Sequence, residues 1–221
     1  MFNMKKGKAP DPDGFLIEFF QEFWEIIKLD LLEVVQESHR NKQMLKSMNS
    51  TFLVLIPKQE GANQLTQFRP IELCNVVYKI ITKLIVERLK LLLNTLICPK
   101  QGGFVKGRQI FDGVLVAMEA IHSMANSKDR ALLLKLDMAK AYDQVRWIFL
   151  HKVLLAFGFA KEWVNWILSC VTSSSFSIII NGELSYLFSA SQGLQKEDPL
   201  SPYLFIIMEK GLGRFINSQV G

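Results

Sequence analysis

Long stretches of helical periodicity, parted by a few short β-like runs, set the tightest limit on what this chain can fold into. From Phe15 to about Glu37 the apolar residues Leu16, Phe19, Phe20, Phe23, Trp24, Ile27, Leu31, Val34 and Val35 recur at steps of three and four. That spacing puts an aromatic-rich stripe on one face for core packing. Asn75 stands as a cap before a helix reaching about Asn94, with Val77, Ile80, Ile81, Leu84 and Ile85 inward. Further helices are predicted over Ile110 to about Asn126, Lys140 to about Phe157, Lys161 to about Thr172 and Ser201 to about Ile216. Gly158 breaks the second from the third, and Pro199 and Pro202 start the last. Strand signals are fewer. Thr51–Ile56 is a buried run ended by Pro57, and Phe176–Asn181, Gly182 and Leu184–Ser189 read as a short hairpin. Ala131–Met138 is apolar but for Lys135 and Asp137, as expected of a central strand. The fold class expected is α+β, helix-rich with a small antiparallel sheet.

The net charge of +5 is unevenly spread. Residues 1–110 hold 16 Lys and Arg against 11 Asp and Glu, whereas residues 111–221 hold 10 of each. The densest stretch, Ser38 to Arg108, has 12 basic and 3 acidic residues. Two readings fit it: a lysine-rich solvated surface, or a surface for a polyanion, since phosphate contacts need clustered Lys and Arg. Cys74, Cys98 and Cys170 are far apart, with neither zinc spacing nor a disulfide framework, which suits a reducing, intracellular setting. Lys5, Lys6 and Lys8 lead into Pro10 and Gly14 instead of an apolar run, so no secretory signal is expected here. No apolar stretch approaches the roughly 20 residues of a membrane helix.

An aspartate at the end of an apolar run is costly unless it binds something or sits exposed at a strand tip. Asp137 is such a residue, in the segment Leu136-Asp137-Met138-Ala139-Lys140-Ala141-Tyr142-Asp143. A second segment, Gly193-Leu194-Gln195-Lys196-Glu197-Asp198-Pro199-Leu200-Ser201-Pro202, follows about fifty residues later. In this order the two resemble the palm motifs of reverse transcriptases, and the first is similar to those of non-long-terminal-repeat (LINE-type, plant-like) retrotransposons. The resemblance extends to Lys8-Ala9-Pro10-Asp11-Pro12-Asp13-Gly14-Phe15, with Asp11 in place of a Gly. It includes Leu55-Ile56-Pro57-Lys58 with Phe68-Arg69-Pro70-Ile71-Glu72-Leu73-Cys74-Asn75, and Gln101-Gly102-Gly103-Phe104-Val105-Lys106-Gly107-Arg108.

The resemblance implies a partial right-hand polymerase, fingers plus the first half of the palm, within one continuous domain. Residues 1–37 would be a leader and helix, 38–130 the fingers and 131–221 the partial palm. It implies RNA-directed DNA synthesis on an RNA template and DNA primer from dNTP, in the nucleus or cytoplasm. Two Mg2+ ions would bridge the attacking oxygen and the departing pyrophosphate. Asp137 would be the catalytic carboxylate and a metal ligand, with the Met138 carbonyl a minor ligand. Lys58 and Arg69 would contact the triphosphate, as a flexible point charge and a planar fork. Lys196, Met138 and Tyr142 would lie at the nucleotide, with a core aromatic at a helix start as the lesser reading of Tyr142. Gln101, Gly103, Phe104 and Arg108 would lie near the template. Asp143 reads as a cap or a partner of Arg146.

The family pattern is broken in two places. Gln195, Lys196 and Glu197 stand where the family has Arg, Gln and Gly. That removes one cation, swaps an amide for an ammonium, and adds a carboxylate where Gly could use φ > 0. Weak nucleotide binding is the expectation, to be restored by reverting the three. The family's Tyr/Phe-Ala-Asp-Asp motif is not among the 221 residues, and no two aspartates are adjacent. The expectation is a truncated domain fragment with an incomplete metal site, an unpaired sheet edge and no polymerisation on its own. A non-catalytic RNA- or DNA-binding remnant is the alternative, and an unstable product a third.

Overall fold

Most of the elements expected from periodicity form, and the exceptions have local causes. The computed structural model describes residues 1–220 apart from 3, 5, 8, 9, 98–100, 102, 104–108, 128–132 and 134–136. The helices are α1 (Ile17–Glu22), α2 (Trp24–Asn41), α3 (Val76–Leu96), α4 (Ile110–Asn126), α5 (Trp147–Ala156), α6 (Lys161–Thr172) and α7 (Ser201–Val220). The strands are β1 (Ser50–Pro57), β2 (Phe68–Cys74), β3 (Ser175–Ile180), β4 (Glu183–Leu184) and β5 (Phe188–Ser189).

The single N-terminal helix expected from Phe15 to Glu37 is two helices, broken at Phe23. The break lets Ile17 and Phe20 of α1 and Leu31 of α2 all pack on Val76 and Ile80 of α3. The aromatic stripe is only partly core, since Phe15 and Phe23 stay exposed. The main core joins four helices: Ile81, Ile85 and Leu89 of α3, Leu150 and Leu154 of α5, Trp166 and Ile167 of α6, Leu204 and Ile207 of α7. Each such side chain contributes roughly 1.5–3 kcal/mol by leaving water. At the α5–α7 crossing Gly211 is required, because a Cβ there would lie 2.8 Å from a Val153 methyl.

The sheet is mixed, not antiparallel. Its order is β2-β1-β3-β4, with β5 also on β3. β1 runs antiparallel to β2 but parallel to β3. The helices between β1 and β3 supply the long crossover that a parallel pair needs. β2 escapes a simple strand reading because it contains Pro70, and it tolerates Pro70 because it is an edge strand. The hairpin after β3 turns at Asn181 and Gly182, both at positive φ, as the Asn-Gly pair predicts.

The strand expected over Ala131–Met138 lies largely outside the described residues, and residues 133, 137 and 138 are in no strand. The helix expected from Lys140 begins only at Trp147. Lys140 takes a left-handed φ of 51° and residues 139–144 form turns. Asn75 stands at the α3 N-cap position, but its side chain makes no cap bond and donates instead to the Ser47 carbonyl at 3.4 Å.

Asp11 ties the leader to the core. Its carboxylate is buried and accepts two bonds of 3.1 Å from the buried Lys79 ammonium of α3. Removing one member of such a pair strands the other charge in low dielectric. Asp11→Ala should therefore cost about 3 kcal/mol in chemical denaturation, and Asp11→Leu with Lys79→Met together much less.

Candidate nucleotide cleft

The two motif segments meet through backbone hydrogen bonds. The Gly193 amide donates to the Val145 carbonyl at 2.8 Å and the Leu194 amide to the Tyr142 carbonyl at 3.0 Å. The Trp147 indole donates to the Gly193 carbonyl at 2.8 Å, and the Gln192 amide to the Asp143 carbonyl at 3.1 Å. This seam explains why residues 139–144 do not continue as helix: the 192–194 loop takes their carbonyls. Gly193 is favoured there by its backbone: its φ is +98°, which strains any L side chain, while a Cβ would make only an ordinary contact with the Asp143 backbone at 3.4 Å.

Just past the seam, the chain turns toward β2. The Lys196 amide donates to a Glu72 carboxylate oxygen at 2.9 Å, and the Lys196 ammonium pairs with Asp143 at 3.0 Å. Asp143 thus pairs across the seam with Lys196, not with Arg146 as its sequence neighbourhood suggested. The Asp198 carboxylate is wholly buried and accepts from the Leu200 amide at 3.1 Å and the Ser201 hydroxyl at 3.2 Å, fixing the entry to α7. Its burial pushes the carboxyl above the usual range.

These elements enclose a cleft of about 630 Å³. Lys58, Arg69, Lys140 and Lys196 line it together with Glu72, Asp143 and Glu197. The Lys58 ammonium also donates to the Thr66 carbonyl at 2.9 Å, which bends the 58–66 loop over one side. A smaller cavity of about 230 Å³ adjoins it, sharing Pro70, Glu72, Asp143 and Lys196 as a partition. Four cations converging on a cleft with apolar walls suit a polyanion attached to a flat group.

The expected site residues divide into groups. Lys58, Arg69 and Lys196 come together in the cleft, although 138 residues separate the first from the last in sequence. Tyr142 does not line the cleft; its half-buried ring stacks on Phe205 at 5.1 Å, and burial raises its hydroxyl above the usual range. Asp137 and Met138 are exposed and outside the cleft lining. Gln101 donates weakly to Glu209 of α7 at 3.4 Å, and Gly103 has that glutamine as its near neighbour. Phe104 and Arg108 lie outside the described residues. Gln195 is buried, donating to Thr51 at 2.9 Å, and does not face the cleft. Glu197 does line the cleft but has no positive φ, so no backbone strain attends its replacement of Gly. Among the described residues no group of three His, Cys, Asp or Glu side chains is placed to hold a metal. The residues present do not by themselves fit a two-metal site.

Glu72, Lys140 and Asp143 enter the cleft without having been singled out for it. Glu72 is buried in β2, and desolvation raises its carboxyl to about 7 against the opposing pull of the Lys196 amide and ammonium. The folded state thus holds this proton more tightly than the unfolded chain, where the group titrates near 4.5. The stabilisation is complete below about pH 4.5 and is lost as pH rises through 7. Relative to Glu72→Gln, the wild-type chain should lose about 3 kcal/mol of stability between pH 4.5 and pH 8, measured by urea unfolding.

Comparison with known proteins shows the family of the chain. The profile of a family described as reverse transcriptase (RNA-dependent DNA polymerase) matches residues 56–220. The chain is 32% identical over 202 residues to the transposon TX1 uncharacterized 149 kDa protein of Xenopus laevis, covering 91% of this chain and 15% of that protein. It is 24% identical over 215 residues to the retrovirus-related Pol polyprotein from type-2 retrotransposable element R2DM of Drosophila melanogaster, covering 97% and 20%. A type-1 element R2 polyprotein of Nasonia vitripennis is 24% identical over 204 residues, covering 90% and 19%. The chain spans a fifth or less of the length of these relatives.

Proposed function

The chain belongs to the reverse transcriptase family, in its non-long-terminal-repeat (LINE-type) retroelement branch, and on that footing we propose that its cleft binds the triphosphate of an incoming dNTP. What supports the reading is the convergence of Lys58, Arg69 and Lys196 on one cleft, from the residue after β1, from β2 and from the loop before α7. Arg69 offers a planar fork for two phosphate oxygens, and Lys58 and Lys196 offer point charges. The proposed substrates are dNTP, an RNA template and a DNA primer, within a longer polymerase that works inside the cell. The proposed layout is that of fingers over residues 38–130 and a partial palm over 131–221, preceded by a leader over 1–37. Gln101, Gly103, Phe104 and Arg108 are assigned to the template side and Tyr142 to a ring near the sugar.

Divalent metal serves this family, and Mg2+ is the ion proposed here, with Asp137 and the Met138 carbonyl as this chain's contribution. One carboxylate cannot hold two ions. The chain's own residues do the binding. The Asp143 carboxylate offsets Lys196, and Glu197 adds a second negative charge at the cleft wall. Both lower the attraction for phosphate. Because Gln195 faces Thr51, the three-residue reversal to the family pattern acts in the cleft through positions 196 and 197.

Titration of the chain with dTTP tests the reading. Lys58→Ala and Arg69→Ala should each weaken binding roughly tenfold, whereas Lys161→Ala on the exposed start of α6 should leave it unchanged. Glu197→Gly should tighten it several-fold by removing a like charge. Equal affinities in all four variants would remove the cleft from the account. The basic stretch from Ser38 to Arg108 favours the second reading, a non-catalytic nucleic-acid binder. RNA binding that survives Asp137→Asn, falls steeply with salt and ignores dTTP would identify it.

A further inference from the structure

Glu72 is a carboxyl in the floor of a cleft assigned to an anion. It lies in β2 at 8% exposure, on the same strand face as the wholly buried Cys74. It lines both the large cleft and the smaller cavity, and so forms part of the wall between them. One of its oxygens accepts the Lys196 amide at 2.9 Å, the bond that turns the Lys196–Glu197 corner onto β2.

We propose that Glu72 is a positioning residue that makes triphosphate binding in this cleft proton-linked. The inference rests on the dNTP reading of the cleft and adds to it a residue that regulates affinity. The groups facing Glu72 come from every wall. Lys58 follows β1, Arg69 stands on β2 itself, Lys140 and Asp143 come from the turn before α5, and Lys196 and Glu197 come from the loop before α7. With Glu72 neutral, four cations stand against two carboxylates; with Glu72 ionised, against three. Desolvation sets the titration of Glu72 near pH 7, so the net positive charge of the cleft halves across the neutral range. The hydrogen bond from Lys196 persists in both states, because a neutral carboxyl still presents an accepting oxygen. The corner therefore stays in place while its electrostatics change. Bound triphosphate favours the neutral form, and binding draws a proton onto Glu72.

The test is calorimetric titration of the chain with dTTP at pH 6 and pH 8, in two buffers of different ionisation heat, for wild type and Glu72→Gln. The glutamine keeps the acceptor for Lys196 and removes the titration. Wild type should lose about threefold more affinity than Glu72→Gln between the two pH values. At pH 7.5 wild type should take up protons on binding that the variant does not, the triphosphate's own ionisation cancelling in the comparison. Parallel profiles with equal proton uptake would overturn the inference while leaving the dNTP cleft standing. Absence of dTTP binding at both pH values would overturn both. Carbon NMR of the Glu72 carboxyl in the unaltered chain gives an independent reading should the variant fold poorly. Its midpoint should rise by about half a unit or more when dTTP is added, and an unmoved midpoint would refute the proposal.

Discussion

Everything the cleft can do depends on the seam between the turn at residues 142–147 and the loop at residues 192–194. Two backbone bonds, one indole bond and one side-chain amide bond join segments about fifty residues apart. Such bonds are individually worth on the order of 1 kcal/mol, but here they are directional, and they meet at a glycine no other residue replaces without strain. They hold Asp143 and Lys196 face to face and aim the corner that follows at β2. The helical core behind them, and the close crossing at Gly211, keep α5 and α7 from sliding and so keep the seam closed.

The cleft's electrostatics follow from that frame. Two cations arrive from the β1–β2 side, and two arrive from the seam with their own carboxylates nearby. The result is a cleft of modest net positive charge. A binding site of this kind depends strongly on any single ionisation, which is why a buried glutamate in its floor carries consequence. The family assignment rests on the sequence match, and the nucleotide role proposed for the cleft rests on its charge pattern.

Much of the scaffold was legible in the sequence. Periodicity located α3, α4, α6 and α7 to within a few residues; the apolar faces of α3, α6 and α7 pack in the core, whereas Phe111, Leu115 and Met118 of α4 are exposed. The Asn181-Gly182 pair marked its own turn. Other features could not be read locally. Whether β1 pairs parallel or antiparallel with β3 depends on a crossover through several helices. The turn at Lys140 depends on a loop fifty residues away that claims its carbonyls. Resemblance supplied Lys58, Arg69 and Lys196, and the fold brings those three together. It did not supply Glu72, whose only local signal was a charged residue in an apolar strand at the same parity as Cys74. Gln195 reads in the sequence as the loss of a cation, and its burial against Thr51 gives it a structural part.

The most direct measurement of the central claim is the dTTP affinity of Gly193→Ala at a temperature where both it and the unaltered chain are fully folded. A side chain at that position strains a backbone held at a φ of +98°, and relief of that strain shifts the loop that carries the Lys196 corner. Binding weaker by about tenfold, with cooperative unfolding retained, is what the seam predicts. An affinity equal to that of the unaltered chain would mean that the cleft is organised without the seam.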